Sequence, residues 1–129
     1  MEYSSVYDST AGIVETKIVG DVTNEETIQA FSEALSIALQ HGCTRFLTDF
    51  REARIDASFP DVFRKPQLLA AAAKQLGVDV RRLRRASIIP REVFVGPPRP
   101  NYARGVFDAH EHDMRHFEDY QAGRRWLLE

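Results

Sequence analysis

The sequence is poor in the features that announce most function classes. It has one cysteine, Cys43, so no internal disulfide can form and a reducing compartment suits it. Long hydrophobic runs are missing. The most apolar stretch, LLAAAAKQL, is too short and too polar to cross a bilayer, and no membrane span is expected. The start, MEYSSVYDST, lacks the basic region and apolar run of a signal peptide, so the expected location is the cytoplasm. Neither sign of charge dominates: 17 Lys and Arg face 19 Asp and Glu, for a net charge of -2. That balance argues against a protein whose affinity comes from neutralising many phosphates. There is no Walker loop, dinucleotide glycine fingerprint, C-x-x-C pair or G-x-S-x-G elbow. Repeats and low-complexity segments are also missing. A chain of 129 residues can bury roughly two-thirds of its unfolded surface around one core, so residues 1–129 are expected to form a single domain.

What is present alternates between strand-like and helix-like segments. Ser4 to Gly20 predict two short strands around a turn, because Asp8, Ser9 and Gly12 supply turn chemistry between flanks rich in Val, Ile, Thr and Tyr. Thr23 and Glu26 form a capping-box pattern ahead of Ile28, Phe31, Leu35, Ala38 and Leu39, whose helical spacing runs to Gly42. TRFLTDF predicts a central strand covered on both faces. Ser58 is placed to cap a helix. Pro66 predicts a break or kink before a helix from about Pro66 to Leu76, with Leu68, Leu69, Ala72, Ala73 and Leu76 on one face.

Ala86 to Ile89 predict another buried strand, stopped at Pro90. The proline-rich REVFVGPPRPN predicts a loop, although Val93, Phe94 and Val95 are apolar for one that faces water; they form an extra edge strand or cover a neighbouring surface. Pro100 suits the first turn of a helix carrying Tyr102, Ala103, Val106, Phe107 and His110. Met114 to Phe117 predict a last strand, and Asp119 caps a final helix that turns Ala122 and Trp126 inward. Strands separated by helices imply parallel crossovers. The expected fold class is therefore α/β, with a mostly parallel sheet, an antiparallel hairpin at its start and about four helices.

The strings G-D-V-T-N-E-E, H-G-C-T-R-F-L-T-D-F, R-R-A-S-I-I and F-E-D-Y-Q-A-G-R-R-W-L, in this order and spacing, resemble the STAS-like group related to the sporulation anti-sigma factor antagonist (SpoIIAA-like), bacterial proteins among them. The resemblance spans nearly the whole chain. It implies a mixed sheet of four to five strands with helices packed against it, and a non-enzymatic role as a binding or switching module. In the antagonist a serine at the start of the helix after the central strand is phosphorylated within a D-S-S-G type motif. This sequence has no such motif; the nearest positional equivalent is Ser58, in D-A-S-F-P-D.

Each candidate site has a plain structural alternative. VRRLRRASIIP puts Arg81, Arg82, Arg84 and Arg85 before an apolar run. Without interleaved aromatics a nucleic-acid patch is disfavoured, and Ser87 in a strand would be closed to a kinase; a solvated basic connector is the expected reading. Ser58 is better placed for phosphate, at a helix start with Arg51, Arg54 and Arg64 nearby in sequence, and is otherwise a plain cap. HEHDMRH, residues 110 to 116, lacks the spacing of a helical zinc pair, and a structural His110 is expected; His112 and His116 have no assigned role. Asp49, near the end of the central strand, is either a site carboxylate or an anchor pairing with Arg51 or Arg54. Cys43 is expected to be a small buried thiol.

The first functional expectation is a non-enzymatic protein-binding or regulatory module with no catalytic residue, cofactor or metal. Its partner or switch surface would comprise Asp49, Arg51, Arg54, Ser58 and Phe59. A protein partner is expected, with a second copy of the chain as one candidate. The alternative is a Sec14-like carrier of a small apolar or amphipathic ligand. Phe59, Phe63, Leu69 and Phe94 would line its cavity, while Val93 and Val95 would contribute to a ligand site or interface. A third reading, a small hydrolase or isomerase, requires Asp49 beside His110 or His116 with its carboxylate pKa raised.

Overall fold

The computed structural model describes residues 1–56, 59–95 and 113–129, and for residues 59–66 and 94–95 it describes the main chain. The N-terminal hairpin forms as expected: β1 (Glu2–Asp8) pairs antiparallel with β2 (Ile13–Asp21) across a turn closed by the Gly12 N–H donating to Asp8 O. Asp8 Oδ1 also accepts from the N–H groups of Thr10 and Ala11, the local carboxylate chemistry that favours turns.

Helix α1 (Asn24–His41) follows, and both of its ends match their sequence signals. Thr23 Oγ1 accepts from Glu26 N at 3.2 Å, the N-cap bond of the capping-box pattern, and the Thr23 hydroxyl donates to Glu26 Oε1 at 3.1 Å. At the other end Gly42, in the left-handed region at φ 61°, donates its N–H to Ala38 O.

The central strand β3 (Arg45–Asp56) is longer than TRFLTDF alone predicts, and it lies in the middle of the sheet, with β1 and β2 on one side of it and two later strands on the other. Strand β4 spans Arg84–Ile88, β5 is the two-residue Phe94–Val95 and β6 is Asp113–Phe117. Beyond the first hairpin every pairing is parallel, including β3 with β5. The fold is thus the expected mixed, mostly parallel α/β sheet.

Two helical layers cover the sheet, and consecutive residues show it. Ile13 and Val14 are both fully buried, yet Val14 packs with Phe46, Leu35 and Ala73 under α1 and α2 (Phe59–Gln75), while Ile13 packs with Leu47, Ile88, Trp126 and Leu127 under α3 (Tyr120–Leu127). The period-two alternation of strands sends neighbours to opposite faces, and both are dry. Asp119 caps α3 as expected, its carboxylate accepting from Ala122 N at 2.9 Å, and Trp126 turns inward.

Three sequence expectations need correction. Helix α2 (Phe59–Gln75) runs continuously through Pro66, without the expected break: the missing N–H removes one bond of a ladder that the rest of a 17-residue helix maintains. Leu76, expected on the buried face, lies beyond the last helical residue and is exposed, because the chain turns there toward Gly77. The arginine run is a solvated connector only in its first half, where Arg81 and Arg82 are exposed. Arg81 and Arg82 form a short 3-10 turn, Val80–Arg82, capped by Asp79, whereas Arg84 and Arg85 are already in β4 and Arg85 is buried. The helix expected from Pro100, with Tyr102, Ala103, Val106, Phe107 and His110, lies outside the described residues. Among the described residues there are three α-helices, and none is long and apolar enough to cross a membrane.

Candidate functional site

The stretch of β3 from residue 49 to residue 54 carries the charged residues singled out from the sequence, and its register explains why they face the same way. Lys17 pairs with Asp49 and Val19 with Glu52, so β3 uses three steps where β2 uses two. The shift turns Arg51 and Glu52 outward together, and both are exposed. Lys17 then pairs with Glu52, and Arg54 reaches Asp21 at 3.7 Å.

Asp49 sits inside this strip, nearly buried at 5% exposure. Arg51 holds it with both arms of the guanidinium, Nε to Oδ1 at 2.9 Å and Nη2 to Oδ2 at 2.8 Å, while the Arg51 main-chain N–H donates to Oδ1 at 3.0 Å. Burial pushes the Asp49 carboxyl up, but the hydrogen bonds and charge of Arg51, with Lys17 behind them, outweigh it and hold the carboxyl below its usual range. The anchoring role weighed for Asp49 is therefore the observed one, with Arg51 as its partner, on a strand and not in a loop.

The same strip is tied to α3. The Arg51 guanidinium lies 4.5 Å from the centre of the Tyr120 ring, and the Tyr120 hydroxyl donates to Glu15 Oε1 at 2.5 Å. Arg124, one turn on, donates to Asp8 Oδ2 at 3.1 Å and lies 3.8 Å from Glu15 Oε2. One charged network thus joins β1, β2, β3 and α3. Sequence reading missed Glu15, Tyr120 and Arg124, since partners more than a hundred residues apart leave no local pattern.

The arrangement contradicts the hydrolase or isomerase reading. Its carboxylate should be shifted upward, and Asp49 is shifted downward. His116 cannot join it: Asp49 aligns with Ile88 and Ile88 with Phe117, so His116, next to Phe117, points to the opposite face. His110 and His112 lie outside the described residues. Among the described residues no group of three His, Cys, Asp or Glu could hold a metal ion.

The remaining candidates scatter. Ser58 lies outside the described residues, and Phe59 and Phe63 fall in the first turns of α2, where the main chain alone is described. Leu69 is buried against Met114, Ile28 and Phe31, so it fills core. Val93 is buried beside Ile18, Phe50 and Ile89, and Phe94–Val95 pair with Ile55–Asp56 as the extra strand, the first of the two roles weighed for this segment. A depression of about 480 Å³ opens elsewhere, between the end of α2 and the Val80–Arg82 turn, lined by Ala70, Lys74, Val78, Asp79 and Arg81. Ser87 is buried in β4, as expected. The Cys43 thiol is half-buried and donates to Gly12 O at 3.2 Å and Arg45 O at 3.3 Å.

No protein-family model and no curated protein sequence matches this chain. Solved structures do. An anti-sigma factor antagonist from Mycobacterium paratuberculosis superposes over 99% of this chain and 96% of its own, with a TM-score of 0.55 at 12% identity. SpoIIAA in its unphosphorylated form covers 94% and 92%, with a TM-score of 0.47 at 15% identity. The phosphorylated form of the Bacillus cell fate determinant SpoIIAA covers 97% and 99%, with a TM-score of 0.42 at 15% identity. With its antiparallel first hairpin, parallel continuation and helices on both faces, this chain has the STAS-like fold of an anti-sigma factor antagonist.

Proposed function

We propose that residues 1–129 act as one non-enzymatic regulatory module that binds a protein partner through the end of β3. The observation that carries this reading is the end-to-end likeness in fold to an anti-sigma factor antagonist, which makes an anti-sigma-type regulator the partner class to try first. The docking surface comprises the Asp49–Arg51 clamp and the exposed Arg54, with Ser58 and Phe59 next along the chain. The clamp supports a binding role: a carboxylate held ionised by a bidentate arginine presents a fixed charge pattern and has no proton to give. Cytoplasmic location, absence of a cofactor and pairing with a second copy belong to the same proposal.

Native mass spectrometry of the protein purified from its own host, followed by the same sample denatured, tests it. A protein partner or a second copy retained in the native spectrum supports the module. A covalent phosphate mapped to Ser58 adds a switch to it. A small apolar molecule released on denaturation would instead favour the carrier.

A further inference from the structure

At the opposite end of the strands, the sheet face under α3 gathers a second group of charges. Arg45 and Arg84 stand directly across from each other in β3 and β4. They share the face of Leu47 and Ala86, two residues on, which pack under Trp126 and Leu127. Arg115 pairs with Ala86, one row along on that face. The Arg84 guanidinium lies 4.0 Å from the Trp126 ring centre and that of Arg115 5.7 Å, so both gather on one indole. Arg84 is fixed there by donating to Trp126 O at 2.7 Å.

Among the described residues none of these three arginines has a carboxylate ion-pair partner, whereas Arg51, Arg54, Arg81 and Arg124 each have one. Like charges facing each other across neighbouring strands oppose folding, and half-burial of Arg45 and Arg84 reduces the screening between them. Trp126 holds Arg84 in place, but among the described residues no carboxylate offsets the repulsion between Arg45 and Arg84, in a chain whose net charge is -2.

We propose that Arg84 and Arg115, gathered at Trp126, and Arg45, across from Arg84, form a docking surface for an acidic segment of a protein partner, independent of the surface at the end of β3. Guanidinium groups take carboxylates in bidentate fashion, and the exposed Leu128 nearby in sequence adds an apolar contact suited to a polypeptide. A nucleic acid fits less well, because Trp126 is only 9% exposed and offers no open ring for a base to stack on.

Trp126 is the only tryptophan, so its emission reports on the site. The full chain is titrated with hexaglutamate and with the matching glutamine peptide, at about 0.05 M and about 0.3 M salt. The expected result is a saturable change with hexaglutamate alone, weaker at higher salt. The double variant Arg45→Gln/Arg115→Gln, which leaves Arg84 on the indole, binds about tenfold more weakly without a lower melting temperature. No saturable change, or unaltered affinity in the double variant, overturns the proposal. So does tighter binding of a single-stranded DNA hexamer or of phosphatidylglycerol vesicles, which would mark a surface for phosphate polymers or for membranes.

Discussion

The Tyr120 hydroxyl donates to the Glu15 carboxylate at 2.5 Å, joining the first residue of α3 to the middle of β2. Tyr120→Phe keeps the ring beneath Arg51 and removes this bond, leaving Glu15 to Arg124 alone. The expected loss is about 1–2 kcal/mol, or about 3–6 °C in melting temperature. Burial, then Glu15, raises the Tyr120 phenol above 10.0. A group whose folded value is raised gives stability that is complete below the unfolded value and lost as pH climbs through the folded one. Urea unfolding from neutral pH to above pH 10 should show this alkaline loss in the parent and less of it in Tyr120→Phe.

Asp49 gives the opposite sign. Its folded carboxyl is held below the usual 3.8, so its contribution is present above that value and disappears as pH falls through the lowered one. Asp49→Ala leaves the Arg51 main-chain N–H and guanidinium without their acceptor and should cost about 1–3 kcal/mol at neutral pH. Asp49→Asn keeps one acceptor and should lie between. The acid limb of stability against pH should be shallower in both variants; an unchanged limb would show that the clamp does not contribute.

Sequence reading reached those parts of the fold that depend on near neighbours. Thr23 with Glu26, Gly42 and Asp119 act within four residues of themselves, and all three caps form. The apolar run around Leu47 needs no partner to announce burial. Arg51 to Arg54 were hidden as strand because a register shift against β2 turns their charges outward, which resembles a loop in composition. Arg85 was hidden as core because the Phe31 ring, 5.8 Å from its guanidinium, lies more than fifty residues away in sequence. Burial, partly offset by Asp113, brings its pKa down to about 10. Of the candidate surface, Asp49 as an anchor was legible, with Arg51 or Arg54 as its partner; the choice of Arg51 needed the strand, where residues two apart share a face.

Gly123 marks the closest approach of α3 to the sheet. A β-carbon there would overlap the Ile88 side-chain terminus and come within 3.4 Å of the Phe117 ring, and Ile88 is fully buried. Alanine in a helix interior is ordinarily worth about 1 kcal/mol over glycine, but overpacking costs about 1–3 kcal/mol. Gly123→Ala should therefore be destabilising or neutral in thermal unfolding. A clear gain in stability would mean that α3 can ride further from β4 than this packing allows.

Arg54 separates folding from recognition. Its side chain is 70% exposed, and its partner Asp21, at 3.7 Å, is 86% exposed, a pair that contributes little to stability. Arg54→Ala should leave the melting temperature within about 2 °C of the parent. If the end of β3 is the docking surface, the same change should weaken the partner found by native mass spectrometry by about three- to tenfold in titration calorimetry. Arg54→Lys, which keeps the charge and loses the planar fork, should recover part of that affinity. Parent-like affinity in Arg54→Ala, with affinity lost in Arg45→Gln/Arg115→Gln, would move the partner to the opposite end of the strands and leave the Asp49–Arg51 clamp as a structural pair.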